Sequence, residues 1–372
     1  MKDDHGTEEP MNRDLVLPVG GGTKMQGQVP SIRQSSYNTF QACKRLWFLR
    51  HVLCLRPVAR EIRRAADVGT YWHEYMRARY VAYSKHPGWD ADAGGGYATA
   101  SVGVLLQNDL DALRVAAAED LSGEVAAVMR SLQECADKAI VMGHIFWKRH
   151  PIGPDSAFTV QDVELDVDVE LEGVPCGGRL DLVLRDAKGR LWLVDHKSST
   201  KPLSQAIYGR PWAFQCQWYT WLAYQHYGQW PGGFIYNLML QPTIKKCGKD
   251  EKTATLEGIT TEGAYLQRVA KWYADYPEPV SKATWIPIHH LPDRPSVSEL
   301  HEATCRVRGN AKDGAMWVGE CDHTMRTCRG MFKPCAYLPF CDTDPAAWPA
   351  VPGFEQRFEE VADVEEKEEE RG

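Results

Sequence analysis

The 372-residue sequence has no run of the roughly 18 consecutive apolar residues that a membrane-spanning helix requires. Its opening stretch, MKDDHGTEEPMNRD, lacks the basic and apolar blocks of a secretory signal peptide. It also has no C-x-x-C pair, so the usual spacing of a zinc ribbon is absent. These absences predict a soluble, cytoplasmic protein. In that compartment, the eleven cysteines favour metal or cluster ligation over a disulfide framework.

Charge is present in ordinary amount but unevenly distributed. The formal net charge is -7 and charged residues make up 25% of the chain. Much of the acid lies in the C-terminal stretch FEEVADVEEKEEERG, whereas residues 31–80 are rich in arginine. Because a polyanion responds to the local field at a cleft, the net charge does not exclude a nucleic-acid partner.

The order of sequence patterns predicts one α/β domain over residues 31–345. Residues 1–30 are expected to be a flexible lead-in, and residues 346–372 a disordered acidic tail. Helical periodicity covers SYNTFQACKRLWFLRHVL and ADVGTYWHEYMRARYVAY, a loop is expected over HPGWDADAGGGYATAS, and residues 103–149 predict a helical insertion. Alternating strands then occupy residues 158–197, followed by an aromatic helix, the strand GGFIYNLMLQPTI, a helix over 260–280 and a cysteine-rich cap at 321–341.

A β-hairpin in the strand region carries two acids and a base. If RLDLVLRD and RLWLVDHK turn about Lys188, Asp181 faces Asp195 with Cβ atoms about 4.5–5.5 Å apart. Period-two alternation adds Lys197 to the same face. Two carboxylates this close repel unless a cation lies between them, and Mg²⁺ or Mn²⁺ suits such oxygen ligands. The pattern indicates metal-assisted phosphodiester hydrolysis. The alternative is an ordinary Asp195–Lys197 salt bridge with a solvent-facing Asp181.

The same residues resemble a known family. Gly178-Arg-Leu-Asp181 followed by Asp195-His-Lys197 is similar to the core motif of the PD-(D/E)xK nucleases, and looks most like the RecB/AddB-like branch with its CRISPR-adaptation and phage exonucleases. The resemblance implies a restriction-endonuclease-like core, in which a central mixed sheet is flanked by helices. It also implies cleavage of DNA by a divalent metal.

Further motifs extend the resemblance. G-T-Y-W-H-E at residues 69–74 resembles the helical motif whose histidine, here His73, is a metal ligand. Gln215 and Tyr219 resemble the Q-x-x-x-Y motif that positions the DNA or the metal-bound water. Without the resemblance, His73 reads as a surface or core histidine, and Tyr219 as core packing. The implied metal ligands are His73, Asp181, Asp195 and the backbone carbonyl of His196.

The cysteines add a second cofactor prediction. Cys43, together with Cys328, Cys335 and Cys341, resembles the four-cysteine staple of part of this branch, which implies a [4Fe–4S] cluster. Cys321 is a spare thiol, and a purely local set of four C-terminal cysteines stays open. A cluster joining residue 43 to residue 341 would clamp the two ends of the domain around its core.

The functional expectation is a DNA exonuclease of bacterial or phage type, acting on ends or single strands in recombination, repair or phage replication. No G-x-x-x-x-G-K-[ST] motif is present, so a helicase would be a separate partner, as would a recombinase or single-strand-binding protein. Two alternatives remain: an endonuclease that nicks structured DNA on the same core, and a non-catalytic, cluster-stapled DNA-binding adaptor.

Overall fold

The computed structural model describes residues 30–57, 64–86, 89, 91–116, 123–150, 157–206, 214–276, 279–287, 297–309, 335–341, 351–352 and 354–356. The chain divides into two compact units. The first unit comprises residues 1–60, 168–177 and 296–372, and the second comprises residues 61–167 and 178–295. No helix within these described ranges is both long and apolar enough to cross a membrane.

Helices and strands are interspersed along the chain, as in an α/β protein. The described α-helices are α1 (Gln34–Ala42), α2 (Lys44–Trp47), α3 (Arg64–Lys85), α4 (Ala91–Ala116), α5 (Gly123–Arg149), α6 (Leu203–Ala206), α7 (Phe214–Tyr227), α8 (Gly248–Glu257), α9 (Thr261–Asp275), α10 (Ser298–Gly309) and α11 (Leu338–Cys341). The strands are β1 (Leu55–Pro57), β2 (Phe158–Leu171), β3 (Val174–Asp186), β4 (Leu191–Ser199), β5 (Gly233–Leu240), β6 (Ser281–Pro287) and β7 (Phe354–Gln356).

A five-stranded mixed sheet in the order β2-β3-β4-β5-β6 is flanked by helices, as predicted. Strand β4 pairs with β5 in parallel, and the β3–β4 and β5–β6 pairs are antiparallel. Every residue of β5 is buried, which explains its nearly continuous apolar sequence, GFIYNLML. Several elements were not predicted, among them the strands β1, β6 and β7 and the helices α8 and α10.

The β3–β4 hairpin has the predicted register. Val183 lies opposite Leu193, and Arg185 lies opposite Leu191. The turn is fixed by Asp186, whose Oδ1 accepts hydrogen bonds from the backbone N–H groups of residues 188 and 190 at 2.9 Å each. Continuing this register by one further pair sets residue 181 opposite residue 195.

The predicted loop over residues 86–101 is wrong, because α4 begins at Ala91 and includes a run of three glycines. A Cβ atom on Gly94 would lie 2.7 Å from the Arg79 guanidinium, and one on Gly95 would lie 3.0 Å from the His144 ring. The glycines therefore permit a close helix approach here, a tertiary requirement that overrides their usual meaning as loop formers. The helical prediction for residues 103–149 is confirmed for residues 103–116 in α4 and 123–149 in α5, and residues 117–122 lie outside the described residues.

In the first unit, the predicted N-terminal helix is interrupted at Cys43, whose extended backbone (φ -165°) separates α1 from α2. A π-helical turn, Phe48–Val52, follows α2. Strand β7 pairs antiparallel with β1, so the prediction of a disordered tail is wrong for residues 354–356. Residues 357–372 lie outside the described residues, as do residues 1–29.

Candidate metal centre and active site

His73 and Asp181 meet at the centre of the candidate site, both in the second unit. Nδ1 of His73 on α3 lies 3.3 Å from Oδ2 of Asp181 on β3. Burial lowers the pKa of His73 below its usual value, although the Asp181 charge opposes that shift. This half-buried imidazole is therefore mostly neutral near pH 7 and has a lone pair to offer a metal ion.

Glu164 joins this pair, and sequence reasoning missed it. One ligand atom each of His73, Glu164 and Asp181 lies within 4.8 Å of the other two. Burial raises the pKa of Glu164 to about 7, and the charge of Asp181 acts in the same direction. Glu164 also has a left-handed backbone (φ 52°), which is unusual for a side-chain-bearing residue and redirects β2 locally. The alternating acids of β2 gave no signal that distinguished Glu164 from its neighbours.

Asp195 is the hub of a second group of contacts. It is only 1% exposed. Its Oδ1 accepts hydrogen bonds from Nζ of Lys197 and Nε2 of Gln215, both at 2.8 Å. Among the described residues, the ligand atoms that lie within 4.8 Å of one another belong to His73, Glu164 and Asp181, and Asp195 is not part of that set. Its role as a metal ligand stays a prediction, as do the catalytic roles of Lys197 and Gln215.

Helix α7 brings Gln215 and Tyr219 to this hub. Tyr219 is half-buried and hydrogen-bonds to Gln215, and burial raises the pKa of its phenol, with the Asp195 charge adding to the shift. Gly178 makes this approach feasible, because a Cβ there would lie 3.1 Å from the Tyr219 ring and 3.0 Å from Leu222. The glycine that begins the G-x-x-D pattern thus has a packing reason for its size.

The side chain of His196 is buried among aromatic rings. It stacks on Tyr80 with centroids 5.5 Å apart, and Trp72 and Phe146 approach it edge-on. Burial lowers the pKa of His196 to about 3, so the imidazole is neutral. Its backbone has the contacts with the site: the N–H donates to Asp181 and the peptide unit hydrogen-bonds to His73. The predicted ligand role of its carbonyl stays a prediction.

An open cavity of about 470 Å³ adjoins these groups. His73 and Lys197 form part of its wall, and the rest of the lining is small: Ala66, Gly69, Thr70 and Ser198. Ser198 is held in place by a 2.7 Å hydrogen bond from Nε2 of Gln241. The neutral imidazole and the lysine ammonium thus face a space large enough for part of a polar substrate.

The predicted cluster cysteines are only partly described. Cys43 is buried in the first unit and accepts a hydrogen bond from the Leu46 N–H at 3.4 Å. Cys335 and Cys341 are half-buried in the same unit, and the Cys341 carbonyl accepts from Arg45 at 3.2 Å. Cys321 and Cys328 lie outside the described residues. The four-cysteine set therefore stays a prediction.

The geometry agrees with a family comparison. The family model described as the PD-(D/E)XK nuclease superfamily matches residues 31–342. The chain belongs to this superfamily, whose members are metal-dependent nucleases. No curated protein matches the chain.

Proposed function

We propose that the protein is a DNA exonuclease of the RecB-like branch that hydrolyses phosphodiester bonds with a divalent metal ion. The observation that carries the proposal is the meeting of Asp195, Lys197 and Gln215 beside the group formed by His73 and Asp181. A pure binding protein has no need of a buried carboxylate that is hydrogen-bonded to a lysine next to a second acid. The DNA substrate and the exonuclease mode rest on the resemblance of the motifs.

The donor set fits a divalent ion. His73, Glu164 and Asp181 offer one nitrogen and two carboxylates within 4.8 Å, a mixture that Mn²⁺ accepts more readily than Mg²⁺ does. Burial first and the Asp181 charge second raise the pKa of Glu164, and a bound cation would offset both effects. Such an ion would polarise the scissile phosphate and increase the acidity of a bound water.

The other polar groups of the site then have distinct tasks. Lys197 donates a hydrogen bond to Asp195 and borders the cavity, so its ammonium can also stabilise charge that develops on the phosphate oxygens. Gln215 holds the same Asp195 oxygen from α7 and limits rotation of that carboxylate. In the reaction, water forms a bond to phosphorus, the bond to the leaving sugar oxygen breaks, and that oxygen gains a proton.

A cleavage assay tests this proposal. Purified full-length protein is incubated with end-labelled single-stranded, linear duplex and closed circular DNA, with Mn²⁺, with Mg²⁺ or with EDTA. The proposal predicts metal-dependent loss of the linear substrates while the circle persists. Nicking of the circle would favour the endonuclease alternative. DNA binding without metal-stimulated cleavage would favour the non-catalytic adaptor and contradict the proposal.

We also propose that Cys43, Cys328, Cys335 and Cys341 hold a [4Fe–4S] cluster. Two observations support this: Cys43 lies at a helix break, and Arg45, two residues away, bonds to the backbone of Cys341. The test is iron and sulfide content with visible absorption after anaerobic purification. Loss of iron in Cys43→Ser and Cys341→Ser, with retention in Cys54→Ser, is expected. Iron-free protein that is folded and active would contradict the cluster.

A further inference from the structure

Three aromatic side chains form an exposed group just beyond the C-terminal end of α3, here called the aromatic ledge: His86, Trp89 and Tyr97. The His86 imidazole stacks on the Trp89 indole with centroids 4.2 Å apart and planes 12° from parallel. The Tyr97 ring lies 6.1 Å from the same indole. Trp89 and Tyr97 are each 43% exposed, so the ledge presents broad ring surface to solvent.

Among the described tryptophans, Trp89, Trp230 and Trp285 are the ones with more than a third of their surface exposed. Trp47, Trp72 and Trp218 are fully buried in the core. The backbone N–H of Trp89 donates to the His86 carbonyl at 2.9 Å, which fixes the indole against the imidazole. A surface tryptophan held in a defined stack is available for a further planar partner on its open face.

The ledge is connected to the candidate metal centre through α3. His73 and His86 are thirteen residues apart, which corresponds to about 20 Å along a helix axis. Arg77 lies one turn beyond His73. The pKa of Arg77 is raised mainly by its hydrogen bonds to Glu74, and the nearby Tyr97 contributes in the same direction. The Tyr97 ring thus lies within electrostatic range of Arg77, one turn beyond His73 on α3.

We propose that the aromatic ledge stacks unpaired nucleobases of a DNA single strand that is cleaved at the metal centre. This inference rests on the proposed nuclease function and specifies its substrate as single-stranded. Every base has a π-face, so stacking on aromatic rings is tolerant of sequence. In a duplex those faces are already occupied by neighbouring base pairs, so the ledge favours single strands.

The surroundings of the ledge suit a strand. A strand that keeps the base-stacked rise of about 3.4 Å per nucleotide would cover the 20 Å between His73 and His86 in about six nucleotides, and a more extended strand would need fewer. Lys85 is exposed at the end of α3 and offers a positive charge to the phosphates, which the exposed Asp92 in the first turn of α4 opposes. A Cβ on Gly96, next to Tyr97, would meet no atom within 4 Å, so the surface there is open to a ligand.

The test measures DNA binding in EDTA, where no metal-dependent cleavage occurs. Wild-type protein, Trp89→Ala, Tyr97→Ala and Trp89→Phe are titrated against labelled thymidine single strands and duplexes of about twelve nucleotides, long enough to span the six-nucleotide path. Trp230→Ala is the matched control, since Trp230 stacks on Tyr224 at 4.2 Å and 13° and is 37% exposed. Thermal unfolding confirms that each variant is folded.

The inference predicts that Trp89→Ala and Tyr97→Ala weaken single-strand binding by roughly ten-fold each, within the range measured for base–aromatic stacking. Trp89→Phe should recover most of the affinity, and Trp230→Ala should match wild type. Duplex binding should change less than two-fold or so in all of them. Unchanged single-strand affinity in Trp89→Ala, or equal losses for single strands and duplexes, would overturn the inference.

Failure of the proposal for the aromatic ledge can be distinguished from failure of the proposed nuclease function. Wild-type protein that cleaves DNA, with a Trp89→Ala variant that binds single strands normally, would overturn the ledge and leave the nuclease intact. Wild-type protein that does not cleave with Mn²⁺, yet binds single strands through Trp89, would support the ledge and contradict the nuclease.

Discussion

The backbone N–H of His196 donates a hydrogen bond to Oδ2 of Asp181 at 2.9 Å across the β3–β4 pair. The same oxygen lies 3.3 Å from Nδ1 of His73. One carboxylate oxygen is therefore in contact with a neighbouring strand and with a helix at once. This arrangement fixes the Asp181 carboxylate before any metal binds and reduces the reorganisation that binding would require.

Replacing the site lysine should abolish most activity without loss of fold. Lys197→Met removes the ammonium that bonds to Asp195 and borders the cavity. A loss of one such charge-stabilising donor typically lowers kcat by about 10²–10³-fold. Lys201→Met, four residues further along and exposed, is the control and should retain wild-type cleavage. Equal cleavage rates for the two variants in single-turnover assays would contradict a catalytic role for Lys197.

Glu164 should show a conflict between stability and activity. Its left-handed backbone costs about 1–3 kcal/mol in a residue with a side chain, and glycine avoids that cost. Glu164→Gly should therefore raise the free energy of unfolding while it weakens metal affinity. Glu164→Gln keeps the backbone cost but removes the buried charge, so it should weaken metal affinity and relieve electrostatic repulsion without the backbone gain. Chemical denaturation and Mn²⁺ titration separate the two effects, and wild-type metal affinity in both variants would exclude Glu164 as a ligand.

The close packing of α3 on α5 should depend on Gly143. A Cβ at this position would lie 2.1 Å from the buried ring of Tyr75, on the helix that carries His73. Gly143→Ala should destabilise the protein by about 1–3 kcal/mol, the usual cost of overpacking. Gly103→Ala on α4 meets open space and should instead stabilise by about 0.5–1 kcal/mol through helix propensity. Thermal unfolding of the two variants should show changes in the free energy of unfolding of opposite sign. Changes of the same sign would contradict the proposed packing of Gly143 against Tyr75.

An ion pair between a buried carboxylate and a half-buried arginine should make stability depend on acidic pH. Arg268 donates two hydrogen bonds to Asp250, at 2.7 and 2.8 Å, and these bonds lower the pKa of that carboxyl. A lowered pKa in the folded state gives stability that is present above the unfolded value of about 3.9 and lost as the pH falls through the folded value. Asp250→Asn should therefore cost about 1.5–3 kcal/mol at pH 7, with a smaller difference below pH of about 4.

The exposed pair Lys271–Asp275 provides the control for this prediction, since its side chains are 74% and 62% exposed. Asp275→Asn should change the free energy of unfolding by less than about 1 kcal/mol at any pH. Denaturant unfolding between pH 3 and 8, spanning roughly the carboxyl and imidazole ranges, measures both variants. A pH-independent difference for Asp250→Asn would contradict the assignment.

The parts of the fold that depend on local pattern were predictable. Alternation in FTVQDVELDVDVEL gave β2 with its observed bounds, and the DAKG turn gave the register that aligns residues 181 and 195. Both signals come from residues that are neighbours in sequence. In a strand, a shift of one residue would move every apolar side chain to the wrong face of the sheet, so the pattern specifies one register. Helix α3 followed in the same way from its apolar spacing.

The parts that depend on tertiary contact were not predictable. The glycines at the start of α4 predicted a loop from sequence alone. They are needed because Arg79 and His144, on other helices, leave no room for a Cβ atom at Gly94 and Gly95. Glu164 looked like one more exposed acid, because its approach to His73 depends on a single left-handed residue in β2. Short β6 and β7 are strands only through their partners.

The most direct test of the metal centre is pulsed electron paramagnetic resonance of Mn²⁺ bound to the full-length protein. A bound ion that shows ¹⁴N modulation from an imidazole is predicted for wild type. The modulation should vanish in His73→Gln, and the affinity should fall in Asp181→Asn and Glu164→Gln. Mn²⁺ that binds without nitrogen modulation, or with the same modulation in His73→Gln, would contradict a site built on His73, Glu164 and Asp181.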